Sequence, residues 1–166
     1  MNVPAWLQSP RGVFALVALA CAAALAAALV SQHVFGMQPC PWCVLQRLIF
    51  AVIGIVALVF ALASGPRSWR LGAALAGAFG VAGIAAALWH HFVAASSASC
   101  DLTLADRIIS GIGLDMAWPE VFAAFASCAD ARVNLFGVPY EFWSLALYLL
   151  ITAAAGWAWR TAGRMR

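Results

Sequence analysis

Lysine is absent from this chain of 166 residues, and charge of either sign is scarce. Charged side chains make up 9% of the sequence, against the ~25% of an ordinary soluble domain. Only six acids are present, and the nine cations are all arginines, scattered rather than gathered in a basic run, which excludes a nucleic-acid surface. Linker-like stretches, low-complexity tracts and internal repeats are also missing, so the length fits one domain, residues 1–166. What fills the chain instead is apolar: 66% of residues are hydrophobic and the mean hydropathy is +0.96. Lipid is the surrounding such a composition suits.

Crossing the hydrocarbon core takes about 20 apolar residues, and four segments qualify: 13–32, 44–63, 71–92 and 142–159. Backbone amides in lipid must be satisfied within the segment or in a closed barrel, and continuous apolar runs without alternation exclude the barrel. The expected fold is an all-α bundle of four transmembrane helices. The first run resembles a signal peptide in position only, since it is long, lacks a convincing cleavage site and precedes three more spans.

The arginines set the orientation. Arg11, Arg67, Arg70, Arg160, Arg164 and Arg166 flank the start of the first span, the second connection and the end of the last span, with no acid among them. Those regions are expected to be cytoplasmic. All six acids, Asp101, Asp106, Asp115, Glu120, Asp130 and Glu141, fall in the connection between spans three and four. The outer loops are therefore 33–43 and 93–141.

Five cysteines divide by place. Cys21 lies mid-span, where a small apolar residue packs well. Cys40, Cys43, Cys100 and Cys128 lie in the two outer loops, in a compartment that permits disulfides. The Cys40-x-x-Cys43 spacing allows a reversible disulfide, and Cys43 opens a helix whose unpaired amides favour a thiolate. Arg47 stands one turn further on, so its guanidinium shares a face with Cys43. An arginine inside an apolar span marks function by default, although an interfacial side chain reaching to water is the plainer alternative. Pro39 and Pro41 stiffen the approach, and Pro41 gives up an amide that a first helical turn leaves unpaired.

A static Cys40–Cys43 bridge would close too short a ring to stabilise much, whereas a bridge between Cys100 and Cys128 could contribute about 3 kcal/mol. Metal binding has soft ligands in Cys40, Cys43 and His33, but no fourth ligand follows from spacing, and no metal site is assigned. Haem attachment fails because Val44, not histidine, follows Cys43.

In the long loop, Trp118, Val121, Phe122 and Phe125 recur at i, i+3, i+4 and i+7, with Pro119 and Glu120 suited to a first turn. A short amphipathic helix is expected there, lying among lipid headgroups. The small and polar residues 94–99 suggest a mobile lead into Cys100. Gly77, Gly80 and Gly83 in the third span read as a face for close helix packing.

The segment Gln32-His33-Val34, then Pro39-Cys40-Pro41-Trp42-Cys43-Val44-Leu45-Gln46-Arg47, resembles the Cys-Pro-Leu-Cys-x-x-Gln-Arg signature of the DsbB family. Cys128-Ala129-Asp130, Gly137 and Trp143-Ser144-Leu145 are similar to a second stretch of that family, with Pro139 earlier than the family's proline and Val133 where an aromatic is common. The resemblance covers nearly the whole chain. Its members are bacterial inner-membrane proteins that reoxidise the soluble thiol oxidase DsbA.

The resemblance implies a quinone-dependent protein disulfide oxidoreductase, with catalytic Cys40, Cys43, Cys100 and Cys128. A periplasmic DsbA-like partner attacks a Cys100–Cys128 disulfide. Electrons then pass to Cys40–Cys43 through a bond between a loop cysteine and Cys40, and on to ubiquinone or menaquinone beside Cys43 and Arg47. It also implies a histidine at the quinone, for which His91 is preferred over His90. A vitamin K epoxide reductase-like enzyme is the nearest alternative, but there the dithiol follows the loop pair. A non-enzymatic metal-binding or structural bundle is the alternative from another class.

Overall fold

The computed structural model describes residues 9–94 and 103–164. Four long helices dominate: α1 (Pro10–His33), α2 (Pro41–Leu62), α3 (Pro66–Phe92) and α7 (Tyr140–Gly163). Each is long and apolar enough to cross a membrane, and each extends a few residues beyond the hydrophobic run that announced it. The first three start with proline, whose missing amide costs nothing in a first turn. Ser9 caps α1 by accepting from the Gly12 amide, and Gly65, at φ 97°, makes the left-handed turn into α3.

The helices pack as an all-α membrane bundle, α1 against α2, α2 against α3, and α3 along α7, with α7 touching α1. Phe14, Cys21, Ile53, Ala57 and Tyr148 fill the interior. Leu19, Ile55, Leu62 and Leu150 face outward and are exposed, as helix surfaces in lipid should be. Gly80 and Gly83 bring α3 close to α7. A Cβ at Gly83 would run into the Tyr148 ring, and one at Gly80 into the Thr152 hydroxyl. Cys21 is fully buried, its Cβ 3.2 Å from where a Cβ on Gly54 would stand.

At one end the arginines fasten the helix termini. Arg11 donates to the Ser64 hydroxyl at 2.8 Å and lies over the Trp69 ring, while Arg70 lies over Trp159. The opposite end carries the cysteine loops. There α4 (Leu104–Ile112), α5 (Leu114–Ala117), α6 (Pro119–Phe122) and a two-stranded hairpin, β1 (Asn134–Leu135) with β2 (Val138–Pro139), cover the bundle.

The amphipathic helix of the outer loop is α4, not the 118–125 segment. Thr103 and Asp106 form a reciprocal capping box at its start, and left-handed Gly113 ends it. Ile109 packs with Val44 and Phe122 on the α2 entrance, while Leu104 and Ile112 stay exposed. The expected helix shrinks to the single turn α6, because Ala123 is extended and the chain after it pairs elsewhere. Residues 94–99 and Cys100 were expected to form a mobile reactive segment; all but Ala94 lie outside the described residues.

Candidate active site

Why the sulfurs meet follows from backbone hydrogen bonds. The amides of Phe125 and Ala126 both donate to the Pro39 carbonyl, at 3.0 and 3.3 Å. This stitches the chain leading to Cys128 onto the chain leading to Cys40. Ser127 then caps a tight turn through its hydroxyl, accepting from the Asp130 amide. Cys128 is thereby delivered over the N-terminus of α2, where Cys40 is the cap residue and Cys43 ends the first turn.

Cys40 is completely buried and has sulfur neighbours on two sides. Its Sγ lies 2.7 Å from Cys43 Sγ and also contacts the Cys128 thiol. The Cys43 amide donates to Cys40 Sγ at 3.3 Å, and the Trp42 amide donates to Cys128. His90, near the end of α3, points its Nε2 at Cys40 Sγ from 3.4 Å and bonds Cys128 as well. Its Nδ1 meets the Gln46 side-chain amide at 3.3 Å.

These contacts separate the two loop thiols in acidity. The hydrogen bond from Cys40, followed by that from His90, holds the Cys128 thiol down at about 5, against a loss of solvation that pushes the other way. Burial pushes the Cys40 thiol far up. In the reduced protein Cys128 is therefore the more acidic of the two and the readier to act as a thiolate.

Arg47 is buried one turn below Cys43 and, among the described residues, makes no ion pair. Its Nη1 donates to Gln32 Oε1 at 2.6 Å and to the Val121 carbonyl at 3.1 Å, and Nη2 donates to the Ala28 carbonyl at 3.2 Å. Gln32 in turn donates to the Glu120 carbonyl. All three acceptors are neutral, so the guanidinium is fixed in place with its charge uncompensated. Among the described residues these bonds take three of its five N–H groups.

A narrow cleft of about 70 Å³, partly open to the outside, adjoins these groups. Cys43, Gln46, Arg47, His90, Tyr140 and Glu141 are among the residues lining it. His90 lines the cavity, whereas His91, the residue preferred from the sequence, points aside and bonds Glu141 at 2.7 Å. One helical residue is a turn of about 100°, which no linear motif resolves. Gln32, Gln46 and Glu141 are not among the site residues read from the sequence, although both glutamines belong to the motif quoted there. Two polar residues at the apolar ends of spans, and an acid heading the last one, were the available signals.

Comparison with known proteins points the same way along the whole chain. The family model for disulfide bond formation protein DsbB matches residues 10–158. Among similar proteins, Disulfide bond formation protein B of Herminiimonas arsenicoxydans is 34% identical over 87% of this chain and 92% of its own. The protein of that name from Verminephrobacter eiseniae is 35% identical over 91% of this chain and 87% of its own. A third, from Nitrosomonas europaea, is 32% identical over 91% and 94%. No solved structure matches.

Proposed function

The chain belongs to the DsbB family of disulfide bond formation proteins, membrane oxidoreductases that generate disulfides, and from that premise we propose that it oxidises a DsbA-like periplasmic thiol oxidase and passes the electrons to a membrane quinone. The carrying observation is that Cys128 and Cys43 both touch the sulfur of Cys40. A dithiol relay needs one atom that both disulfides can share.

The donor's thiolate breaks a Cys100–Cys128 disulfide, and its second thiol resolves the mixed disulfide, so the donor leaves oxidised and both loop cysteines are reduced. The Cys128 thiolate then attacks Cys40 of the Cys40–Cys43 disulfide, forming Cys40–Cys128 and releasing Cys43 as the leaving thiolate. Cys100 next displaces Cys40, restoring the loop disulfide and leaving Cys40 and Cys43 both reduced. Each exchange breaks one S–S bond and forms one.

A quinone supplies the two-electron sink. Cys43 and Arg47 both line the cleft, where the guanidinium would face a carbonyl oxygen on which negative charge develops. His90, rather than His91, is placed to hold a proton at Nε2 between the sulfurs and the cavity. As the electron pair departs, Cys40 closes again on Cys43 and two thiol protons are released. With cytoplasmic arginines and outer cysteine loops, both termini face the cytoplasm of a bacterial inner membrane.

The test is quinone absorbance in detergent with a reduced thioredoxin-fold oxidase as donor. Wild type consumes quinone only when the donor is present, and Cys43→Ser and Cys100→Ser do not. Donor-independent consumption, or none with any such donor, contradicts the reading.

A further inference from the structure

Three thiols and an imidazole converge where the outer loops meet, and each arrives with its support already built. Cys40 Sγ, Cys43 Sγ and a ring nitrogen of His90 all lie within 4.8 Å of one another. Cys128 bonds both Cys40 and His90 but stands outside that three-residue group, so its sulfur must draw inward to complete the set. We propose that the fully reduced protein captures one thiophilic divalent cation, of which zinc is the type, in a Cys40–Cys43–Cys128–His90 site.

Tetrahedral zinc, with Zn–S of about 2.3 Å and Zn–N of about 2.0 Å, sets its ligands roughly 3.5–3.8 Å apart. The Cys40–His90 separation of 3.4 Å already fits, and Cys43 must swing out by about 1 Å from its 2.7 Å contact with Cys40. Cys43 is only partly buried and faces the cavity, so that swing has room, and the cavity provides the route of entry.

The surroundings suit the charge. Two backbone amides, of Cys43 and Trp42, already donate to ligand sulfurs. Three thiolates and a divalent ion sum to one negative charge, and Arg47, one turn below and without an acidic partner among the described residues, supplies one positive. Glu141, the acid in the cavity wall, is engaged by His91. Turning the Gln46 amide about its own axis puts its oxygen on His90 Nδ1–H, which orients the ring with the Nε2 lone pair toward the metal.

Capture is not a redox step: thiol protons are displaced and no electrons move. Its consequence is a brake, since a metal-bound thiolate neither attacks a disulfide nor closes one. Metal therefore competes with the relay only while the site stays reduced, when electrons arrive faster than an acceptor removes them.

Cobalt(II) titration of the anaerobically reduced protein, with reductant removed and neither donor nor quinone present, tests this apart from the proposed activity. The expected result is one equivalent bound, with tetrahedral d–d bands and sulfur-to-cobalt charge transfer. Oxidising the same sample abolishes both and re-reduction restores them, with no change of sequence. Cys128→Ser and His90→Ala each weaken binding more than tenfold, whereas Cys100→Ser and Cys21→Ser leave it unchanged. Octahedral spectra, binding that survives oxidation, or a site that needs Cys100 instead of Cys128 overturns the proposal.

Discussion

Arg47 holds a charge in a buried place by spending its hydrogen bonds on neutral partners, Gln32 and two carbonyls, so that the charge itself stays available. Removing it takes away a fixed donor for developing negative charge, an effect of about 10²–10³ in rate at comparable sites. Arg47→Gln is therefore expected to slow quinone reduction by that factor in single-turnover absorbance measurements, while oxidation of the thiol donor by the resting enzyme keeps its rate. Arg47→Lys recovers little, because an ammonium cannot span Ala28, Gln32 and Val121 at once. The two steps slowing equally contradicts this role.

Cys128 makes a second residue-scale prediction, with a definite sign. Its thiol sits near 5 in the folded protein, against about 9 for an unperturbed cysteine. The thiolate is fully present above that folded value and is lost as pH falls through it. Alkylation of Cys128 in the reduced protein, located by peptide mass spectrometry, should be flat between pH 6 and 8 and drop by about tenfold per unit below pH 5. A profile still rising through pH 8 contradicts the assignment of Cys128 as an acidic thiol of the reduced protein.

Among the elements, the α3–α7 seam depends on what its glycines lack. The Tyr148 ring occupies the space a side chain on Gly83 would need, stacks on Phe50 at 4.2 Å, and donates its hydroxyl proton to the Gln46 carbonyl in α2. Gly83→Ala overpacks that contact and is expected to cost about 1–3 kcal/mol, read as a lower midpoint in detergent unfolding followed by helicity. No loss of stability would mean that the seam relaxes freely. Because Gln46 also braces His90, quinone reduction should weaken with stability in this variant.

Legibility from the sequence varied with the range of the signal. The four spans follow from hydrophobic length, and the shared cleft wall of Cys43 and Arg47 from a four-residue spacing, both of them local signals. The loop helix is less legible: the aromatic periodicity at Trp118–Phe125 mimics a helix that extended Ala123 ends after one turn, while the Thr103-x-x-Asp106 capping box starts α4. Contacts across the fold left no trace along the chain. That Phe125 and Ala126 would anchor on Pro39, or that His90 rather than His91 would meet the sulfurs, depends on helix rotation and loop course.

At the scale of the whole molecule, one end of the bundle is fastened by arginines and the other is reserved for sulfur chemistry, with four helices between them as a rigid frame. The long loop is held at a few points, Pro39, Gln32 and the α2 entrance, the first of them next to Cys40. The central claim is that electrons cross between the loops through this one sulfur. Mapping the disulfide of a Cys43→Ser, Cys100→Ser double variant by non-reducing mass spectrometry tests it most directly. A Cys40–Cys128 bridge forming spontaneously on mild oxidation is the predicted result; Cys40 and Cys128 both recovered as free thiols would contradict it.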